Sequence, residues 1–231
     1  MKTKQSKPQR GFSMIDLILV VATIAGLILV VLPELTRPKA RSARISCTNN
    51  LKQLNYGFRI WAGDNNDKFP MQVSVTNGGV MELAEQGSAY AIFLVMSNEL
   101  NTPKVLFCPS EASPGRINAT VFASGPPPYP KSSSILFPST NSLSYFVGLD
   151  AEETEPQRIL AGDDHVSIAG VKPKPGLFLL PTNAPVEWRN ERHMKQGNVA
   201  LADGSAQGFS ISAFRTALAQ SGIATNRLAM P

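Results

Sequence analysis

The chain is short of the residues that enzymes use most. It has two histidines, His165 and His193, and two cysteines, Cys47 and Cys108. No serine stands in a G-x-S-x-G elbow, no H-E-x-x-H pair occurs, and no glycine-rich phosphate loop is present. These absences leave one dense polar cluster, Asp163-Asp164-His165, with no nucleophile that stands out beside it. An excess of positive charge is also lacking over most of the chain. The formal net charge is +5, but Lys2, Lys4, Lys7 and Arg10 supply four of the positives before the first apolar run. The remainder carries 18 basic residues against 17 acidic ones, so the basic pI is no nucleic-acid footprint and no nucleic-acid partner is expected. A small-residue A-x-A cleavage site after the apolar run is missing too, which excludes an ordinary removable secretory signal.

What is present begins with residues 12–32, FSMIDLILVVATIAGLILVVL, interrupted only by Ser13, Asp16 and Thr23. About 20 apolar residues in a helix cross a hydrocarbon core of roughly 30 Å, so this run reads as a membrane helix. Asp16 is then an acid at its mouth, expensive there unless something pairs with it. Pro33 closes the run, removing a backbone donor and kinking or opening the helix locally. Arg37, Lys39, Arg41 and Arg44 follow as a solvated basic face. The helix is expected to resume to about Trp61, because Cys47, Leu51, Leu54, Phe58 and Trp61 form one apolar stripe. Such a stripe packs on a sheet. Residues 63–67 end the helix as a turn. Their oxygens are of the kind calcium takes, but Lys68 falls where an EF-hand needs a ligand, so the spacing does not support a calcium site and no cofactor is expected.

Gly and Pro are plentiful, at 17 and 18, which predicts many turns rather than a helical bundle. Residues 89–99 read as a helix, and 104–108 as a buried strand closed by Pro109. Residues 113–142 read as a long Pro/Ser/Gly-rich loop with polyproline character. From 143 onward the runs LSYFVGL, RILAG, GLFLLP and NVALA are β-prone. Residues 198–202 and 205–209 flank Asp203-Gly204, a pair suited to a two-residue type I′ hairpin. Ile211, Phe214 and Leu218 mark a C-terminal helix capped near Gly222. The fold expected is α+β, a long N-terminal helix, transmembrane and then amphipathic, packed on a small antiparallel sheet domain with long loops.

The residues around the start of the apolar run, Gly11-Phe12-Ser13-Met14-Ile15-Asp16 after a basic leader, resemble the prepilin signal. The resemblance implies cleavage between Gly11 and Phe12 by a prepilin peptidase and N-methylation of Phe12. Asp16 stands where the family has Glu and would neutralise the new Phe12 amine, one helical turn away, within a subunit or between neighbours. Further motifs resemble a subset of prepilin-like proteins: Cys47 with Asn50-Leu51-Lys52-Gln53, Cys108-Pro109-Ser110, and an H-x9-DG signature made of His193, Asp203 and Gly204. Together they are similar to type II secretion pseudopilins of the major kind. That family's calcium site has no matching acidic pattern here. The resemblance implies a leader over 1–11, a membrane-spanning and stalk helix over 12–62, and a periplasmic domain over 63–231. It implies a single-pass inner-membrane protein with a cytoplasmic N-terminus, assembling with other pseudopilin subunits and secretion machinery into a filament.

Cys47 and Cys108 both fall beyond the apolar run, and an even pair in an exported domain suggests a disulfide, with two separate buried thiols as the alternative. His193 admits two readings. It could join Asp203, and also Asp163, Asp164 and His165, around a metal. Alternatively Asp203-Gly204 is simply a turn and His193 a hydrogen-bonding residue at a strand end. The sequence favours the second, so no metal, no catalytic residue and no enzyme are expected. The competing function is a membrane-anchored periplasmic enzyme or ligand-binding domain using His165 and His193.

Overall fold

The structure is a computed structural model. It describes residues 14–111, 113–122 and 140–231, the side chains of 29–40 and 140 excepted. The chain divides into two compact units, Met1–Ser42 and Ala43–Pro231. One element crosses the division: helix α1, Met14–Asp64, 51 residues long and unbroken at Pro33.

The expected membrane span is not found. Among the described residues no helix is long and apolar enough to cross a membrane. Asp16 lies in the first turn of α1. The single-pass inner-membrane placement falls with the expected span. Gly11 and Phe12, and residues 123–139 of the expected polyproline loop, lie outside the described residues.

The second unit is α+β. After α1 come three short helices, α2 (Met81–Glu85), α3 (Ala89–Val95) and α4 (Ser97–Leu100). The single helix expected over 89–99 is thus two, parted at Met96. The strand expected over 104–108 is instead a turn of 3-10 helix, Pro103–Leu106. Pro103 has no N–H for a ladder and opens the turn well, and the Thr102 hydroxyl accepts from the Lys104 N–H at 3.4 Å.

Among the described residues eight strands follow: β1 Tyr145–Gly148, β2 Ile159–Asp163, β3 Val166–Ile168, β4 Gly176–Pro181, β5 Val186–Trp188, β6 Gly197–Leu201, β7 Ala206–Phe209 and, after helix α5 (Ile211–Gln220), β8 Thr225–Met230. Six form one sheet in the order β4-β8-β1-β2-β6-β7, with every described pairing antiparallel; β3 and β5 form a separate ribbon. The strand period of two sorts side chains to two faces. Tyr145 and Val147, Ala200, and Ala229 join the core under α1, while Phe146, Val199, Leu201, Leu228 and Met230 join the core made by Trp188, Phe214 and Leu218. A register shift between Ile159 and Ala161 puts both Leu160 and Ala161 on the α1 side. The alanines on that face leave room for the helix. The stripe Cys47, Leu51, Leu54, Phe58 and Trp61 is buried in the same core, at 5% exposure or less.

Candidate functional site

The polar edge of the α1 stripe runs along β6. The Arg44 guanidinium donates to Gln196 Oε1, and the Thr48 hydroxyl donates to Asn198 Oδ1 at 2.9 Å. Further along, Asn55 Nδ2 donates to the Leu201 carbonyl at 2.8 Å, and Arg59 Nη1 to the Asp203 carbonyl at 3.3 Å. From 44 to 59 a helix rises about 22 Å, and from 196 to 203 a strand rises about 23 Å. The two elements therefore keep step over this length.

That match explains where the H-x9-DG residues go. Asp203-Gly204 lies past one end of β6 and His193 ahead of the other, so the structure does not bring them together. The turn is not the expected two-residue type I′. Leu201 N–H donates to Ser205 O at 2.9 Å and Gly204 N–H to Leu201 O at 3.1 Å, enclosing a three-residue loop in which only Gly204 has a positive φ, +92°. This is a type I turn closed by a glycine bulge. Asp203 Oδ1 accepts from the Ser205 N–H at 2.8 Å, which fixes the turn without a metal.

At the other end, Cys47 and Cys108 form a disulfide tying α1 to the segment after the 3-10 turn. Asn50 Nδ2 adds a bond to the Phe107 carbonyl at 3.0 Å. His193 Nε2 sits 3.4 Å from Cys108 Sγ and 3.6 Å from Asp163 Oδ2. Asp163 Oδ2 accepts from both the backbone N–H and Nδ2 of Asn198, at 2.7 and 2.8 Å. A closed ring results: Thr48, Asn198, Asp163, His193, Cys108, Cys47 and back to α1. Burial pushes His193 down to about 4; the Asp163 charge opposes this, while His165, Arg192 and Arg44 add to it. At neutral pH the imidazole is uncharged.

The three residues of the Asp163-Asp164-His165 cluster part company. Asp163 joins the ring. Asp164 takes the guanidiniums of Arg192 and Arg116. His165 Nε2 donates to the Gln196 carbonyl at 2.9 Å, and its ring packs on Trp188 and His193. Gly197, at the start of β6, has no Cβ because the Trp188 ring lies where one would be, 2.5 Å away. Arg192 also faces Glu111 Oε2 at 3.4 Å and donates to the Ser144 carbonyl at 3.2 Å. Burial raises the Glu111 carboxyl, but Arg192 and hydrogen bonds from Ser113 and Ser144 outweigh it and hold the group below the usual carboxylate range. Arg192, Arg116 and Glu111 escaped the sequence reading, which had singled out only their partner Asp164. The only signals were an arginine beside His193 and an acid three residues after Cys108. Thr48 and Asn198, likewise missed, sit beside residues that were singled out.

No protein-family profile, no curated protein and no solved structure matches the chain. The buried groups of this arrangement hold α1, Cys108, Glu111, Arg116 and the 189–198 segment against the sheet.

Proposed function

We propose that this chain is a pilin-like structural subunit of a type II secretion system or related machine. It assembles with copies of itself through the first part of α1. One observation carries the reading: α1 is a single helix whose later part is fixed in a folded head and whose early part exposes large apolar side chains. Met14, Ile15, Leu17, Ile18, Val21 and Leu27 are each more than half exposed. A contiguous apolar surface of this kind marks an interaction site. Equivalent helices of other copies are the occupants that fit a repeating apolar rod. Processing between Gly11 and Phe12 by a prepilin peptidase frees the amine that Asp16 of the same or a neighbouring subunit neutralises.

The test is assembly. Leu17→Arg and Ile24→Arg in the native cell abolish sedimentable filaments seen by electron microscopy, while the unfolding midpoint of the head stays unchanged. Filaments formed normally by both variants would overturn the reading.

A further inference from the structure

The Cys47, Cys108 and His193 side chains offer three donor atoms within 4.8 Å of one another, all from buried residues or buried side chains. Asp163 stands beside His193, outside that trio. Asp163 is fully buried, its Oδ2 is 3.6 Å from His193 Nε2, and its Oδ1 has no hydrogen-bond partner among the described residues. A buried carboxylate oxygen without a partner is costly and calls for an explanation. Arg192 does not supply one, because it is committed to Asp164 and Glu111.

We propose that the chain, with its disulfide not yet formed, holds one zinc-like divalent ion between Cys47 Sγ, Cys108 Sγ, His193 Nε2 and the Asp163 carboxylate. Two thiolates, one imidazole and one carboxylate make a closed four-donor set of the kind structural zinc takes. Zinc–sulfur bonds of about 2.3 Å and zinc–nitrogen bonds of about 2.0–2.1 Å put donors at tetrahedral corners roughly 3.5 Å apart. The 3.4 Å and 3.6 Å separations around His193 Nε2 already have that size. Asn198, bonding Asp163 twice, orients the carboxylate from outside the donor set.

Disulfide and ion are alternative occupants. Loading the ion displaces one proton from each thiol. A disulfide oxidant then takes two electrons from the thiolate pair and leaves as two thiolates; the Cys47–Cys108 bond forms and the ion is released. The site would hold α1, residue 108 and residue 193 together before oxidation, in the geometry that the disulfide later makes permanent.

The experiment uses the full chain, purified oxidised, reduced with a phosphine, freed of reductant without air and titrated with Co2+ and Zn2+. The reduced chain binds about one Co2+, with thiolate charge-transfer and tetrahedral d–d bands, and Zn2+ raises its thermal midpoint. The oxidised chain shows neither. Asn198→Ala weakens binding about 10–100-fold, and His193→Ala and Asp163→Asn by at least as much. Each variant's oxidised form is checked first for its disulfide and unfolding transition, so misfolding is seen separately. A reduced wild-type chain that binds no tetrahedral Co2+, whether folded or not, overturns the proposal. So do folded His193 and Asp163 variants that bind as tightly as wild type.

Discussion

His193 packs its imidazole against the disulfide, with Nε2 3.4 Å from Sγ of Cys108. The residue that opens the H-x9-DG motif is therefore spent on the junction between α1 and the head. Its burial has a pH consequence. The folded value is near 4 and the ordinary value about 6.5. Above pH 6.5 the imidazole is neutral folded and unfolded, so the full stability is present. Between 6.5 and 4 only the unfolded chain takes the proton, and stability falls with pH by roughly 2–3 kcal/mol. Urea unfolding of the oxidised chain from pH 7 to pH 4 checks this. His193→Gln removes that share of the slope; an unchanged slope contradicts the account.

The disulfide closes a sequence separation of 61 residues. Loop-closure entropy for that length sets an upper figure of about 4 kcal/mol. Cys47→Ala with Cys108→Ala is expected to lower the unfolding free energy by about 2–4 kcal/mol, read by denaturant titration. A loss below about 1 kcal/mol would mean that the non-covalent contacts around His193 and Asn198 hold the junction without the covalent bond.

Arg192 and Arg59 separate buried from exposed ion pairing. Arg192→Met leaves Asp164 and Glu111 buried with one cation fewer, at about 3–5 kcal/mol. Arg59, half exposed and 3.5 Å from Glu153, is worth about 0–1 kcal/mol in Arg59→Met. Equilibrium unfolding of both variants measures the contrast, and equal losses would refute the assigned roles.

Much of this was legible because burial imposes a period. The α1 stripe from Cys47 to Trp61 shows its helical spacing openly, and strands β1, β2, β4, β6 and β7 fall in short β-prone runs between turn residues. Strand β8 escaped because TNRLAM mixes polar residues into a short terminal run, though it pairs with both β1 and β4. The 104–108 segment misled because an apolar run reads alike in a buried strand and a buried 3-10 turn. Within the site, both cysteines and His193 stood out by rarity. Arg44, Thr48, Asn55 and Arg59 did not, since a helical polar face usually meets water; only the partner strand β6 shows that this one is bonded. Apolarity over residues 12–32 alone suggested a membrane span, which the described helix does not provide.

His193, Met194 and Lys195 have φ of +53°, +51° and +59°, three consecutive left-handed residues without a glycine. Each such residue costs roughly 1–2 kcal/mol. Met194 is 72% exposed, so its side chain contributes little packing. Met194→Gly is expected to stabilise the chain by about 0.5–1 kcal/mol, after the extra freedom glycine gives the unfolded state. A thermal midpoint that drops would show that this turn is not strained.

The proposed assembly through α1 begins with a cut at Gly11. Mass spectrometry of the N-terminal peptide, from protein isolated from its native cell, tests this most directly. The account predicts a first residue of N-methylated Phe12 with no residue before it. A peptide that begins at Met1 and runs intact through Gly11 would contradict it.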